Sequence, residues 1–209
     1  MYIKVCGIKY PETLQAISAL QPDFMGFILY PRSARYIRET LLPEQVHAIK
    51  GIQKTGVWVN ESPATVIGLA ELYGFDYVQL HGQESPDTCA AIRQAGYGVI
   101  KVFSVGETFD PAVLDPYTGA VDYFLFDTAG RQPGGNGVAF DWGLLQDAPI
   151  TVPWFLSGGL GPEHHLLTPD VLPTGCAGLD INSRFETEPG RKDPERVAAF
   201  IQAIRQHHT

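Results

Sequence analysis

Eight short apolar runs recur along the chain, at 3–6, 24–29, 54–59, 77–80, 99–103, 123–127, 154–157 and 177–181. Their spacing of roughly 20–30 residues is the length of a strand plus a returning helix, so the pattern restricts the chain to repeated βα units. Helix ends are marked between the runs. Ser62-Pro63 reads as an N-cap followed by proline in the first turn, and Tyr73-Gly74 as the matching stop. Asp193-Pro194 opens a last helix whose apolar stripe is Val197, Phe200, Ile201 and Ile204. The fifth and seventh helices are weakly marked, and Pro111, Pro116, Pro162 and Pro169 point to short or irregular pieces there. The 209 residues, 44% of them hydrophobic, are enough for one sizeable core. The expected fold is α/β, a single-domain (β/α)8 TIM barrel over residues 1–209.

Two of these strands run into turns of small residues. Phe155-Leu156-Ser157-Gly158-Gly159-Leu160 is followed about twenty residues later by Gly178-Leu179-Asp180-Ile181-Asn182-Ser183-Arg184-Phe185-Glu186. Glycine lets an anion approach main-chain N–H groups with no Cβ in the way, and the last strand-to-helix turns of a (β/α)8 barrel commonly form a phosphate cradle. Either segment alone reads as an ordinary tight turn. The two in order, at the end of a chain of barrel length, predict a site for a phosphorylated small molecule.

Charge and cysteine usage exclude other classes. With 15 Lys+Arg against 23 Asp+Glu, the net charge of −8 argues against general affinity for nucleic acid or an anionic membrane, so an anionic ligand must be held locally. Cys6, Cys89 and Cys176 lie far apart with no C-x-x-C pair and no His-rich ligand spacing, which argues against a disulfide framework or a zinc site. The start Met1-Tyr2-Ile3-Lys4-Val5 enters a strand at once, and no later run reaches membrane-spanning length. The expected location is cytoplasmic, which makes the Asn60-Glu61-Ser62 sequon accidental. Oligomeric state is left open between monomer and homodimer.

Polar residues on the strands then select the chemistry. Cys6, before Gly7 at the end of the first strand, falls at the C-terminal mouth where barrel active sites are built. A lone cysteine on a strand is most often a small buried hydrophobe. Asp127 weakens that reading, because it ends the apolar run Tyr123-Phe124-Leu125-Phe126, where a carboxylate is tolerated only at a polar mouth, in a network or as a cap. A thiol and a carboxyl across one mouth can serve as general base and general acid. Period-two alternation puts Lys4 on the face of Cys6, roughly 6–7 Å lower, where its ammonium favours the thiolate. Alternatively it pairs with Asp180, another inward-facing residue; both can hold.

The residues carry a family resemblance. Lys4-Val5-Cys6-Gly7-Ile8, Gly26-Phe27, Tyr30-Pro31-Arg32-Ser33-Ala34-Arg35-Tyr36-Ile37, Gly56-Val57-Trp58-Val59-Asn60 and Gln79-Leu80-His81-Gly82 resemble phosphoribosylanthranilate isomerases of tryptophan biosynthesis. So do Phe126-Asp127-Thr128, Gly134-Gly135-Asn136-Gly137, Phe140-Asp141-Trp142 and Leu156-Ser157-Gly158-Gly159-Leu160. The match continues to Pro189-Gly190-Arg191-Lys192-Asp193 in family order. One departure concerns the last phosphate turn. Much of the family reads Asp-x-Ser-Ser-Gly-x-Glu there, and this chain has Arg184 in place of the glycine, with a guanidinium that could itself face the phosphate.

The resemblance implies an Amadori rearrangement of N-(5′-phosphoribosyl)anthranilate to 1-(o-carboxyphenylamino)-1-deoxyribulose 5-phosphate. It implies Asp127 as the general acid that opens the furanose ring to a Schiff base, and Cys6 as the general base that removes the C2′ proton. Neither metal nor organic cofactor is implied, since the substrate nitrogen serves as electron sink. Arg35 matches the arginine that meets the anthranilate carboxylate, a task suited to a planar fork, with a surface ion pair as the alternative. His81 is assigned to pocket lining, and Asp180 joins these two as substrate-binding. Gly158, Gly159, Asn182 and Ser183 are the phosphate-binding set. Residues 130–137 read as a βα loop folding over bound substrate, not as a dinucleotide fingerprint, because Phe140 stands where that pattern needs glycine or alanine. Cys89 and Cys176 read as structural.

Two other readings compete. A sister barrel enzyme, such as indole-glycerol-phosphate synthase or a sugar-phosphate epimerase, would share the glycine turns but would want a lysine acid or metal-binding histidines. A non-catalytic ligand-binding barrel would be expected to lose Cys6 or Asp127, and both are present.

Overall fold

The computed structural model describes residues 1–128, 140–146, 148–168 and 171–207. The loop expected at 130–137 and Pro169 lie outside the described residues. Strands β1 (Tyr2–Val5), β2 (Phe24–Ile28), β3 (Gln53–Trp58), β4 (Tyr77–Leu80), β5 (Gly98–Val105), β6 (Tyr123–Thr128), β7 (Trp154–Leu156) and β8 (Cys176–Ile181) pair in sequence order, each parallel to the next, and β8 closes on β1. This is the (β/α)8 barrel expected from the spacing of the apolar runs.

Helices α1 (Pro11–Ala19), α2 (Pro43–His47), α3 (Pro63–Tyr73) and α4 (Pro86–Gln94) follow the first four strands, and α5 (Pro194–His207) ends the chain. The predicted caps are in place. The Ser62 hydroxyl accepts from the Thr65 N–H at 3.2 Å, Gly74 closes α3 at φ 64°, and Asp193 Oδ1 accepts from the N–H groups of Glu195 and Arg196. The irregular fifth and seventh segments are 3₁₀ turns at Pro111–Tyr117 and Pro162–Leu166; in the first, Pro116 lies inside the segment and lacks a donor that an α-helix would use. A third, Trp142–Leu145, follows β6, and a fourth, Ser183–Phe185, leads into an antiparallel pair, β9 (Glu186–Glu188) and β10 (Arg191–Lys192), that the periodicity does not signal. Among the described residues, no helix is long and apolar enough to cross a membrane.

Strand parity divides the interior in two. Phe124 and Phe126 face outward with Ile3, Val5, Trp154 and Leu179 into the layer under the helices, and Leu125 faces inward with Phe24, Ile100, Val102 and Phe155. Near the strand N-termini, Phe24 meets Phe155 and Tyr77 edge to face at 5.2 and 5.3 Å and plugs the barrel. Above the plug, buried Lys4, Gln79 and Asp180 make the interior polar toward the C-terminal end. The site therefore opens at that end.

Candidate active site

A pocket at the C-terminal mouth is lined by Cys6, Gln79, His81, Asp127, Asp180 and the turns after β7 and β8, with Ile28 and Val57 as apolar wall. Cys6 follows β1 and is 4% exposed. The facing position on β2 is Gly26, where a Cβ would sit 2.6 Å from the Cys6 sulfur; the glycine leaves room for the thiol. Across the mouth, Asp127 near the end of β6 accepts through Oδ1 from the Thr128 N–H at 2.9 Å, and its Oδ2 lies 3.4 Å from His81 Nε2. Below them Lys4 Nζ donates to Asp180 Oδ1 at 3.0 Å, with the two residues opposite each other in the β1–β8 register. The pairing of Lys4 with Asp180 is present, and the lysine's charge also draws the Cys6 thiol down, although burial outweighs it.

The electrostatics of the thiol are a contest. Burial pushes the Cys6 thiol up, Lys4 and Lys192 pull it down, and Asp180 adds to the upward push, so it stays above its ordinary value of 9.0. Burial works against the Lys4 ammonium, yet Asp180 and Cys6 outweigh it and keep the lysine cationic. Alkylation of Cys6 by iodoacetamide, mapped by peptide mass, is therefore expected to be slow at pH 7 and to accelerate as pH rises through and beyond 9, since the thiolate is the nucleophile. Rapid modification that has already levelled off below pH 8 would show that the lysines outweigh burial.

The turns after β7 and β8 meet at the other side of the pocket. Gly158 and Gly159 stand at φ 81° and 72°, in the left-handed region, and line the pocket with Ser157, Asn182 and Ser183. A Cβ on Gly158 would fall 2.6 Å from the Thr128 nitrogen, so the backbone there tolerates no side chain. Among the described residues, the N–H groups of Gly158, Gly159 and Ser183 donate to no backbone carbonyl. Arg184, read as a side chain that could face the phosphate, has one guanidinium nitrogen engaged by its own surroundings. Its Nη1 donates to the Gly159 carbonyl at 3.1 Å and pairs with Glu163, so it braces the turn through the carbonyl side.

Arg35 is brought near the mouth but not into the pocket wall. Its guanidinium, 14% exposed, is held by Glu186 through Nε at 2.9 and 3.1 Å and Nη2 at 2.7 Å. The ion pair is thus real but largely buried, not a surface contact. Neither Glu186 nor its second partner Lys192 is given a role by the sequence; the signals were the closing Glu of the Asp-x-Ser-Ser-Gly-x-Glu turn pattern, which Glu186 matches, and the run Gly190-Arg191-Lys192-Asp193 inside the family match. Gln79 was likewise met only within a motif. It is 1% exposed, it lines the pocket, and among the described residues its Oε1 has no partner. Cys89 and Cys176 are free thiols remote from the pocket lining. Among the described residues, no group of His, Cys, Asp and Glu is arranged to hold a metal ion.

A closed parallel barrel with an acid, a thiol and a glycine turn at its C-terminal mouth belongs with the (β/α)8-barrel enzymes. Residues 3–203 match the family model described as N-(5′-phosphoribosyl)anthranilate (PRA) isomerase. The chain therefore belongs to the N-(5′-phosphoribosyl)anthranilate isomerase family and is an isomerase. It is 44% identical over 208 residues to the N-(5′-phosphoribosyl)anthranilate isomerase of Phocaeicola vulgatus, covering 99% of this chain and 98% of that protein. The crystal structure of phosphoribosyl anthranilate isomerase from Thermotoga maritima superposes with a TM-score of 0.85 at 31% identity, covering 99% of both chains. A further structure, in complex with reduced 1-(o-carboxyphenylamino)-1-deoxyribulose 5-phosphate, is 28% identical with a TM-score of 0.77 and the same coverage.

Proposed function

We propose that this isomerase converts N-(5′-phosphoribosyl)anthranilate to 1-(o-carboxyphenylamino)-1-deoxyribulose 5-phosphate, a step of tryptophan biosynthesis, with Cys6 as general base and Asp127 as general acid. The observation that carries the reading is the presence in one pocket of Cys6, Asp127 and the Gly158-Gly159 and Asn182-Ser183 turns. The phosphate lies against the N–H groups of the two turns, which fixes the ribose between the thiol and the carboxyl. Asp127 gives a proton to the furanose oxygen, the ring opens, and the electron pair of the substrate nitrogen forms the iminium. That iminium makes the C2′ proton acidic, Cys6 removes it, and the enolamine tautomerises to the ketone as C1′ takes a proton and the C2′ hydroxyl gives one up.

The surrounding residues divide the remaining work. His81, beside Asp127, walls the ring-opening side. Asp180 holds Lys4 beneath the thiol, where the ammonium offsets part of the burial that opposes thiolate formation. Arg35 meets the anthranilate carboxylate. The direct test mixes purified protein with freshly generated phosphoribosylanthranilate and follows the decay of its fluorescence. Accelerated decay is expected, and decay at the spontaneous rate would remove the proposed reaction.

A further inference from the structure

The Glu186 side chain is 3% exposed, and its carboxylate is a junction between two parts of the mouth that are distant in sequence. Besides the three contacts with Arg35, its Oε1 accepts from Lys192 Nζ at 2.6 Å and from the Gly190 N–H at 3.1 Å. Lys192 is fully buried and carries the link onward, donating to the Asn182 carbonyl at 3.1 Å and to Asn182 Oδ1 at 2.7 Å. Arg35, from the loop after β2, is thereby tied to the turn after β8. The packing between them leaves no slack: a Cβ on Gly7 would fall 2.7 Å from Arg35 Cδ and 2.6 Å from Asn182 Oδ1.

The way Glu186 holds the arginine decides what is left of it. A guanidinium offers five N–H donors in a rigid plane. Glu186 takes the edge made by Nε and Nη2, and among the described residues no acceptor meets Nη1. The edge made by Nη1 and the second Nη2 hydrogen is open to a second carboxylate. Charge agrees with this use, since two cations surround one carboxylate and the trio attracts an anion. Burial pushes the Glu186 carboxyl up, but the bonds and charges of Arg35 and Lys192 outweigh it and hold the group below its ordinary range, so it stays ionised. Burial draws Lys192 down to about 8, which leaves it mostly cationic at neutral pH.

We propose that Glu186 is a positioning residue that presents the open edge of Arg35 to the substrate's carboxylate and, through Lys192 and Asn182, keeps it in register with the phosphate turn. This rests on the reading of Arg35 as the carboxylate contact. The test compares competitive inhibition by the reduced product analogue with that by its counterpart lacking the ring carboxylate, in wild type, Glu186→Gln, Glu186→Asp, Arg35→Met and the Glu186→Gln/Arg35→Met double variant. The preference for the carboxylated analogue is expected to fall at least about tenfold in Glu186→Gln, as for a misaligned charge-assisted fork, while the other analogue binds as before. Glu186→Asp, which keeps the charge but shortens the reach, is expected to lie between, and the double variant to be no worse than Arg35→Met. Full preference in both Glu186 variants, or equal weakening of both analogues, would overturn the role of Glu186 while a selective loss in Arg35→Met upheld that of the arginine. Retained preference in Arg35→Met would instead remove the carboxylate contact itself, and the positioning role with it. Should Glu186→Gln fail to fold, Glu186→Asp carries the same comparison.

Discussion

Cys6→Ala and Asp127→Asn are each expected to lower turnover by roughly 10²–10⁴-fold, the usual contribution of a positioned acid or base, while the protein stays folded and still binds a sugar phosphate. The local structure supports the second half of that expectation. Cys6 packs against the open space at Gly26, so truncation removes one sulfur from a site that no backbone bond depends on. Asparagine at 127 keeps an oxygen to accept from the Thr128 N–H, so only the proton is lost. Thermal melts and inhibition by ribose 5-phosphate serve as controls for fold and phosphate binding. Cys6→Ser adds a second check, because a hydroxyl fills the same space but is a far weaker base, and it should resemble alanine. Near-normal turnover in any of these variants would take that residue out of the proton transfers.

The barrel was legible because its signals are local. Period-two alternation puts Lys4 and Cys6 on one face of the first strand, and the structure turns that face inward, with Cys6 on the pocket and Ile3 and Val5 in the outer layer. Caps such as Ser62 and Gly74 are equally local, since a side chain or a left-handed residue closes its own helix. Cys6 and Asp127 could be placed at one mouth because each ends a strand and the strands of a barrel share a direction. What escaped is what depends on contacts between distant segments. Arg35 and Glu186 are 151 residues apart, and nothing in either neighbourhood foretells that one will take an edge of the other. Lys192 follows an arginine of ordinary surface character and precedes a helix cap, so its complete burial is a consequence of the β9–β10 turn folding under the mouth. The contacts of Arg184 escaped for the same reason: its partner Glu163 belongs to the 3₁₀ turn after β7, and that carboxylate and the Gly159 carbonyl both engage Nη1.

That placement sharpens the expected behaviour of the phosphate site. If backbone N–H groups of Gly158, Gly159 and Ser183 hold the anion, Gly159→Val should weaken competitive inhibition by ribose 5-phosphate at least about tenfold. The residue sits at φ 72°, a conformation that a β-branched side chain adopts only with strain, and relaxing it would turn the N–H away from the pocket. Arg184→Ala removes a brace on the carbonyl side of the same turn, with the guanidinium 39% exposed and already shared with Glu163. Its effect should be near fivefold, on the order of 1 kcal/mol for a charge-assisted bond in partial contact with water. Gly159→Ala should fall between them, which separates strain from the bulk of the branched side chain. The ordering is the discriminating result. Should Arg184→Ala abolish inhibition while Gly159→Val leaves it intact, the anion is held by the arginine side chain, and the main-chain cradle is not how this barrel holds its phosphate.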